Sequence, residues 1–294
     1  MGVYIGVDGG GTKTMFCLKN KASRFTYRIN LSSNPNDVGF ENSANLILDG
    51  CIKICADNKI SVFDIDGIFC GIAGATIDGY KEILTNKISK IFINAKIAAS
   101  HDGENIIYAT FPDENGVIVI CGTGSSCFVK KNEVLYRIGG YAAFDLLGNG
   151  YEIGKAAIAH SLRCIDGRDK KGILHTLITQ KNGADSLSIL NELLALKKPQ
   201  IASYTPLVFE ASEKGDLCAK QILNVNLKFI AEYINTAARF FDGAFGACIA
   251  GSVGTNPASI AIIKSYISCR ADIFTISAEP VDGAVVKAKL IAEG

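Results

Sequence analysis

Short apolar runs that end at glycine or at an acidic residue alternate with longer segments whose apolar positions recur every three or four residues. The first run, residues 3–7, leads into Asp8 and three adjacent glycines, which favour neither helix nor strand and therefore predict a turn. Runs at 14–18 and 24–29 predict two further strands that complete an antiparallel meander. The spacing of apolar residues in 41–58 predicts an amphipathic helix.

A second glycine-rich meander follows in the middle of the chain. A continuous apolar run predicts its first strand to be buried, and a turn rich in Gly, Thr and Ser comes directly after it. These segments lie at 117–121 and 122–126, with returning strands at 127–129 and 134–137. Because the order strand, Gly/Thr turn, strand occurs twice, at 3–18 and 117–130, the sequence predicts two similar α/β halves.

The remaining segments complete these halves with strands and, for the most part, helices. Strands are predicted at 66–70, 96–99, 247–250 and 273–277. Helices are predicted at 78–91, 152–163, 170–180, 186–196, 206–242 and 257–269, with a terminal helix from 281. The boundary between the halves is expected near 112–116, just before the second meander.

Composition narrows the class of protein. The 294 residues carry 30 Lys and Arg against 29 Asp and Glu, and a charge near zero without a basic cluster argues against a nucleic-acid partner. Ten cysteines at irregular spacing, with no CxxC pair, do not form a disulfide framework. The N-terminal segment lacks the pattern of a secretory signal, and no apolar run reaches the roughly 18 residues of a membrane span. We therefore expect a reduced, soluble, cytoplasmic protein.

The first glycine turn combines an acid, bare backbone N–H groups, hydroxyls and an ammonium group, which together suit a phosphate. It is not a Walker loop, because Thr12 stands where that loop requires Lys, and Thr14 breaks the dinucleotide pattern G-x-G-x-x-G. Both patterns also need a following helix, whereas 14–18 predicts a strand. The interpretation that remains is a phosphate-binding β-hairpin whose acid, Asp8, holds Mg²⁺ through water. The alternative is a plain hairpin turn with a solvated Asp.

Residues 5–14 resemble the first phosphate motif of the BadF/BadG/BcrA/BcrD-type ATPases. This group lies within the superfamily of actin, sugar kinases and Hsp70, and it includes the N-acetylglucosamine kinases. Further segments are similar to the family's sugar, catalytic, second phosphate, adenosine and closing motifs, in the family's order along most of the chain. They are 31–34, 100–102, 121–125, 139–145, 250–253 and 282–284.

The resemblance implies an α/β fold of two ribonuclease H-like (actin-like ATPase) domains that flank a cleft. The first would span 1–114, with the terminal helix, about residues 281–294, as a candidate to pack back on it, and the second 115–280. It also implies ATP- and Mg²⁺-dependent transfer of the γ-phosphoryl group to the 6-hydroxyl of an N-acetylated amino sugar, foremost N-acetylglucosamine, by a homodimer.

The matching motifs imply a role for individual residues. Asp102 would be the catalytic base, although an Asp at this place is also a common helix N-cap. The residues implied to bind ATP are Asp8 (with Mg²⁺), Gly10, Gly11, Thr12, Lys13, Thr14, Gly122, Thr123, Gly124, Ser125, Gly251 and Ser252. The residues implied to bind the sugar are Asn34, Asp102, Gly140, Tyr141 and Asp145.

Several of these residues also have ordinary structural interpretations. Asn34 belongs to a good turn sequence, Asp145 can simply face solvent, and a glycine after a strand, as at Gly251, is common turn chemistry. His101 is interpreted as shaping the pocket beside the base. Cys121 is interpreted as a small buried residue; the alternative is a ligand of an iron–sulfur cluster at a dimer interface, as in related activators of 2-hydroxyacyl-CoA dehydratases.

The sugar segment departs from the family pattern. Tyr141 replaces the family's Trp, in a chain without tryptophan, and Leu146 replaces a second acid. A less bulky and more apolar rim would admit the lactyl ether of N-acetylmuramic acid. The alternatives are therefore a kinase of that sugar, or of both sugars, or of glucosamine; then a dehydratase activator that carries a cluster; and last a sugar-sensing regulator without catalysis.

Overall fold

The computed structural model describes residues 2–76, 78–141, 144–145, 147–183 and 185–294. The chain divides into two compact units, each with its own sheet and its own core. The first unit comprises Met1–Glu114 and Ile276–Gly294, and the second comprises Asn115–Thr275.

The first unit contains a five-stranded mixed sheet in the order β3-β2-β1-β4-β5. Its strands are β1 Tyr4–Gly9, β2 Thr14–Lys19, β3 Arg24–Ile29, β4 Gly67–Ile72 and β5 Lys96–Ser100. The first three form an antiparallel meander, and β4 and β5 run parallel to β1. Every residue of β4 is buried, as expected for an apolar strand in the middle of a sheet covered on both faces.

Helices cover this sheet and carry its apolar core. They are α1 Pro35–Val38, α2 Phe40–Asp57, α3 Tyr80–Ser89, α4 Gly103–Thr110 and α12 Pro280–Glu293. The C-terminal helix α12 packs against α4, β1 and β4. Its close approach depends on glycine: a Cβ atom on Gly6 of β1 would lie 2.5 Å from the backbone nitrogen of Val285.

The second unit repeats the strand order of the first. Its strands are β6 Gly116–Cys121, β7 Ser125–Lys131, β8 Val134–Ile138, β9 Phe245–Ala250 and β10 Ala271–Thr275. The order β8-β7-β6-β9-β10 matches β3-β2-β1-β4-β5, again with an antiparallel meander and two parallel strands. The two predicted halves therefore share the same strand order and the same pattern of antiparallel and parallel strands.

The helices of the second unit are α5 Gly150–Ile165, α6 Ile173–Asn182, α7 Leu190–Leu194, α8 Lys198–Ala202, α9 Thr205–Glu213, α10 Leu217–Ala237 and α11 Pro257–Ser265. The single helix predicted at 206–242 is wrong. Gly215 has a φ of +93°, a left-handed conformation that interrupts the helix, and Asp216 then caps α10 by accepting a hydrogen bond from the Ala219 nitrogen. The segment predicted as one helix at 186–196 contains only a short 3-10 turn and α7.

The predicted α/β class is confirmed by two α/β units built on the same sheet order. In the part of the chain that the structure describes, no helix combines the length and the apolar character needed to cross a membrane.

Candidate active site

The first glycine turn joins β1 to β2. The pairs Asp8–Met15 and Gly9–Thr14 end the ladder, and the Gly10 nitrogen donates to the Lys13 carbonyl at 3.0 Å, which closes the turn. The backbone amides of residues 11–13 donate to no acceptor within the described residues, and all three residues are exposed. Free amides in a tight turn form a concave donor surface suited to an anion.

Thr14 lies at the end of this turn with its side chain directed inward. It is fully buried, and its hydroxyl donates to the Leu31 carbonyl at 3.1 Å. The Ser33 nitrogen in turn donates to the Gly10 carbonyl at 3.1 Å. Thr14 therefore helps to hold the segment 31–34 against the first glycine turn. The sequence analysis predicted Thr14 as a phosphate donor and did not predict this structural contact.

Asp8 is mostly buried at the base of the turn. Its Oδ1 accepts a 2.7 Å hydrogen bond from the side-chain amide of Asn105, a fully buried residue of α4 that also donates to the Gly71 carbonyl at 3.1 Å. Burial raises the pKa of Asp8, while the Asn105 hydrogen bond and the nearby Lys13 charge lower it. Asn105 therefore stabilises the charged form of a carboxylate that burial disfavours.

Asp102 follows β5 and occupies the N-cap position of α4, but its side chain makes no capping hydrogen bond. Burial, and secondarily the negative charge of Asp8, raises its pKa to about 6. A carboxylate whose pKa lies near neutrality can both accept and release a proton under ordinary conditions, which a general base requires.

This pair of carboxylates fits a magnesium ion. Asp8 and Asp102 are both largely shielded from water, and their negative charges repel one another. A divalent cation would offset the cost of burying the two charges and their mutual repulsion. Among the described residues no group of three or more His, Cys, Asp or Glu side chains could hold a metal. One or two carboxylates with water completing the shell is the arrangement that Mg²⁺ takes most often.

Asn34 lies beside the first glycine turn, and its side chain caps α1. Its Oδ1 accepts from the Asn36 nitrogen at 3.0 Å and from the Asn36 side-chain amide at 3.2 Å. A Cβ atom on Gly74, which has a φ of +81°, would lie 2.4 Å from that oxygen. The hydrogen bonds of the turn thus use the side-chain oxygen of Asn34, and the amide nitrogen of the same side chain remains able to donate to a ligand.

The second glycine turn joins β6 to β7 in the second unit. The Gly122 nitrogen donates to the Gly124 carbonyl at 2.9 Å, and the amides of Thr123 and Gly124 have no acceptor in the described chain. The hydroxyl of Ser125 donates to the Leu147 carbonyl at 2.8 Å, so it serves the local structure.

The turn after β9 is fastened directly to the end of β6. The nitrogens of Val253 and Gly254 donate to the Cys121 carbonyl at 3.1 and 2.9 Å. Gly251 has a φ of +90°, and a Cβ atom there would lie 2.5 Å from the same carbonyl oxygen. This position therefore requires glycine, and the predicted adenosine motif lies beside the second glycine turn.

A cavity of about 500 Å³ opens next to these two turns, within the second unit. Gly122, Thr123 and Ser252 of the two turns line this cavity. Helices α8 and α9 and the N-cap of α11 line it as well, with residues that include Pro199, Thr205, Phe209, Glu213 and Asn256. The combination of apolar side chains with a few polar groups is typical of a small-molecule site, and the size suits a nucleoside.

The residues of the second unit that are predicted to bind the sugar lie in a loop held by hydrogen bonds. Asp145 accepts hydrogen bonds from the Gly140 nitrogen at 2.6 Å and from the Tyr233 hydroxyl at 3.2 Å, so it does not simply face solvent. Tyr141 is 57% exposed, and the Arg137 guanidinium lies 5.5 Å from its ring centroid. The departure at Leu146 lies outside the described residues.

The structure thus groups the predicted residues by unit. Within the first unit it brings together Asp8, the first glycine turn, Asn34 and Asp102. Within the second unit it brings the second glycine turn against the Gly251 turn, while Gly140 packs against the Ser125 backbone.

Three polar residues of these groups were missed at the level of sequence. Asn105 stands three positions after Asp102 on an otherwise apolar buried face, a pattern that could have been noticed. Thr205, whose buried hydroxyl donates to the Gly150 carbonyl at 2.7 Å, and Tyr233 come from distant helices and carry no local signal.

Cys121 lies at the base of the second turn and is fully buried. Its sulfur lies 3.2 Å from the Gly148 carbonyl oxygen, and burial raises the pKa of the thiol to about 12. A neutral, enclosed thiol packs as a small apolar group, in agreement with the interpretation favoured from the sequence.

Comparison with known proteins identifies the relatives of this chain. The sequence profile of the BadF/BadG/BcrA/BcrD ATPase family matches residues 5–288. An N-acetylmuramic acid/N-acetylglucosamine kinase from Clostridium acetobutylicum is 31% identical over 76% of this chain and 75% of its own length. An N-acetyl-D-glucosamine kinase from Dictyostelium discoideum is 24% identical over 81% of this chain and 79% of its own.

Among solved structures, a protein from Chromobacterium violaceum described as a proposed N-acetylglucosamine kinase superposes with a TM-score of 0.76. It covers 99% of both chains at 17% identity, so the likeness concerns the fold. The predicted actin-like ATPase class is thereby confirmed, because this fold is shared with sugar kinases.

Proposed function

The chain belongs to the BadF/BadG/BcrA/BcrD ATPase family, and from that premise we propose that it is an ATP-dependent amino-sugar kinase. The acceptor that we propose is the 6-hydroxyl of N-acetylglucosamine. The family match and the kinase relatives support the use of ATP and of a small sugar. A cytoplasmic location and a homodimer belong to the same proposal, and light scattering of the purified protein tests the dimer.

The observation that carries the proposal is the state of Asp102. Its carboxylate is mostly buried, makes no capping hydrogen bond, and has its pKa raised to about 6 beside a second carboxylate. A structural cap would gain from a hydrogen bond and from a low pKa. A general base that accepts the proton of a sugar hydroxyl instead needs a pKa closer to neutrality, as Asp102 has.

Phosphoryl transfer depends mainly on positioning and on neutralising the charge of the phosphates. We assign the free amides of both glycine turns, and the Lys13 ammonium in the first, to the phosphate oxygens. The cavity of the second unit is assigned to the nucleoside. Mg²⁺ bound near Asp8 would supply electrostatic stabilisation of the phosphates. Asn105 keeps Asp8 charged for that purpose.

The experiment that tests this proposal replaces Asp102 with Asn. We expect turnover of ATP with N-acetylglucosamine, followed by coupled release of ADP, to fall at least about 10³-fold, because general base catalysis contributes up to about 10⁴-fold. ATP binding, measured by calorimetry, is expected to persist.

Glu104→Gln is the matched control for this variant. Glu104 lies two residues further on in the first turn of α4, so the substitution also removes one negative charge from this helix. It is expected to keep turnover within a few-fold of the wild type. Undiminished phosphorylation by the Asp102→Asn variant would refute the role of Asp102.

N-acetylmuramic acid is the second candidate acceptor. Tyr141 stands where the family carries Trp, it is largely exposed, and the Clostridium acetobutylicum relative bears the names of both sugars. Steady-state kinetics with N-acetylglucosamine, N-acetylmuramic acid and glucosamine separate the candidates. Rejection of the lactyl sugar would remove the second candidate, and turnover of glucosamine alone would remove both.

A further inference from the structure

Lys198 begins α8 and extends to the second glycine turn. A Cβ atom built on Gly124 would lie 3.9 Å from the Lys198 ammonium nitrogen, and no other heavy atom outside its chain neighbours comes within 4 Å. The next residues of the helix, Pro199 and Ala202, line the cavity of the second unit. The ammonium therefore lies at the second glycine turn, on the residue that precedes the part of α8 lining the cavity.

An aromatic ring holds the ammonium in this position. The nitrogen lies 5.6 Å from the ring centroid of Tyr151, a distance typical of a cation–π contact. The Tyr151 backbone nitrogen donates to the Thr123 carbonyl at 3.2 Å, so the ring is anchored to the same turn. The lysine is thus positioned without a carboxylate.

The charge of Lys198 has no counter-ion among the described residues, since no carboxylate oxygen lies within 4 Å of it. A second lysine, Lys155, lies 5.7 Å from the same ring, but its ammonium is paired with Glu152 at 3.2 Å. The free charge of Lys198 and the free amides of Thr123 and Gly124 together form a donor set for an anion.

We propose that Lys198 binds a phosphate oxygen of the nucleoside triphosphate at the second glycine turn. The inference rests on the proposed function, because it takes the cavity as the nucleoside site. Lys198 is assigned to binding, and the flexible stem of a lysine lets the ammonium follow the phosphate chain.

Calorimetric titration in EDTA, which removes metal from the comparison, tests the proposal with ATP and adenosine as probes. Lys198→Met is expected to weaken ATP binding about 10- to 100-fold, the range of one hydrogen bond to a charged group. Adenosine binding is expected to stay unchanged, which also establishes that the variant folds. Lys198→Arg should retain most of the affinity for ATP.

Lys155→Met is the matched control, since it removes the other ammonium from the same ring, and it should bind ATP as the wild type does. Added salt should weaken ATP binding more steeply in the wild type than in Lys198→Met. Equal loss of ATP and adenosine binding, or ATP binding unchanged in Lys198→Met, would overturn the inference alone. A wild-type protein that bound neither probe, in EDTA or in the presence of Mg²⁺, would overturn the proposed function together with the inference.

Discussion

The two units present a glycine turn at the same point of the same strand order, but the residues near the strand ends differ. The fifth residue of β1 is Asp8, and the fifth residue of β6 is Ile120. Two residues beyond the end of β5 the chain has Asp102, whereas two residues beyond β10, where the chain has already entered the first unit, it has Ser277. Carboxylates therefore occur near the ends of β1 and β5 and not at the corresponding positions of β6 and β10.

The second unit has instead the cavity that the turns after β6 and β9 border. The same topology thus carries two kinds of surface. The first unit has ionisable groups at the strand ends, and the second has a cavity of a size that suits a nucleoside. The difference is set by a few residues at the strand ends and just beyond them, because most other strand residues pack in the two cores.

Among the changes that compare the two turns, the largest effect is expected from removing the charge of Asp8. Asp8→Asn should lower kcat by roughly 10²–10³-fold, the loss typical of removing one group that stabilises charge at a reacting centre. In the wild type, turnover should fall as the pH drops below about 6, where Asp102 takes up a proton. In the variant this acid limb should move to lower pH, because the negative charge of Asp8 raises the pKa of Asp102.

The pH profiles of kcat and of kcat/KM from about pH 5 to about pH 8 measure both effects, because kcat/KM reports the ionisations of the free enzyme. Ile120→Val, the control at the matching position, removes no charge and should leave the acid limb in place. A wild-type profile in the Asp8→Asn variant would mean that the two carboxylates do not act on one another.

An intermediate effect is expected from a methyl group in the turn after β9. Gly251→Ala should destabilise the second unit by about 1–3 kcal/mol, because alanine is strained at a φ of +90° and its Cβ would meet the Cys121 carbonyl. Gly10→Ala in the first turn should stay within about 0.5 kcal/mol, since its Cβ would lie 3.4 Å from the nearest heavy atom, the Lys13 carbonyl oxygen. Thermal unfolding of the two variants compares them, and equal melting temperatures would contradict the assigned strain.

The smallest effect is expected at the base of the second turn. Cys121→Ala should keep turnover within a few-fold and cost about 1 kcal/mol of stability, because a buried neutral thiol is replaced by a slightly smaller group. Iron analysis and the visible spectrum of anaerobically purified wild-type protein test the alternative of a cluster. Iron in the wild type that disappears in the variant would revive the dehydratase-activator interpretation.

The sequence predicts the sheet and the turns well, because both depend on local signals. Short apolar runs place all ten observed strands of the described chain within a few residues. The break in the segment 206–242 was missed, since apolar periodicity continues across Gly215 and the interruption depends on its left-handed backbone. Helix α4 was also not predicted, because its eight residues contain a single run of four apolar residues and therefore show little periodicity.

The candidate site is predicted only where its residues lie in the turns. The pairing of Asp8 with Asn105 joins positions 97 residues apart. The approach of Lys198 to Gly124 joins the start of a helix to a turn, with two strands and three helices between them in the chain. Such contacts arise from packing, so local sequence gives no spacing to recognise them. The same holds for the use of the Thr14 hydroxyl inside the fold.

One carbonyl oxygen has a consequence for how this protein can evolve. The Cys121 carbonyl, at the start of the turn after β6, accepts hydrogen bonds from the backbone amides of Val253 and Gly254 in the turn after β9. The positions of the two turns therefore depend on one another. A change in the length or shape of one turn would disturb the hydrogen bonds that hold the other. Inherited change in this region should therefore arrive as paired substitutions, with the second glycine turn and residues 251–254 drifting together.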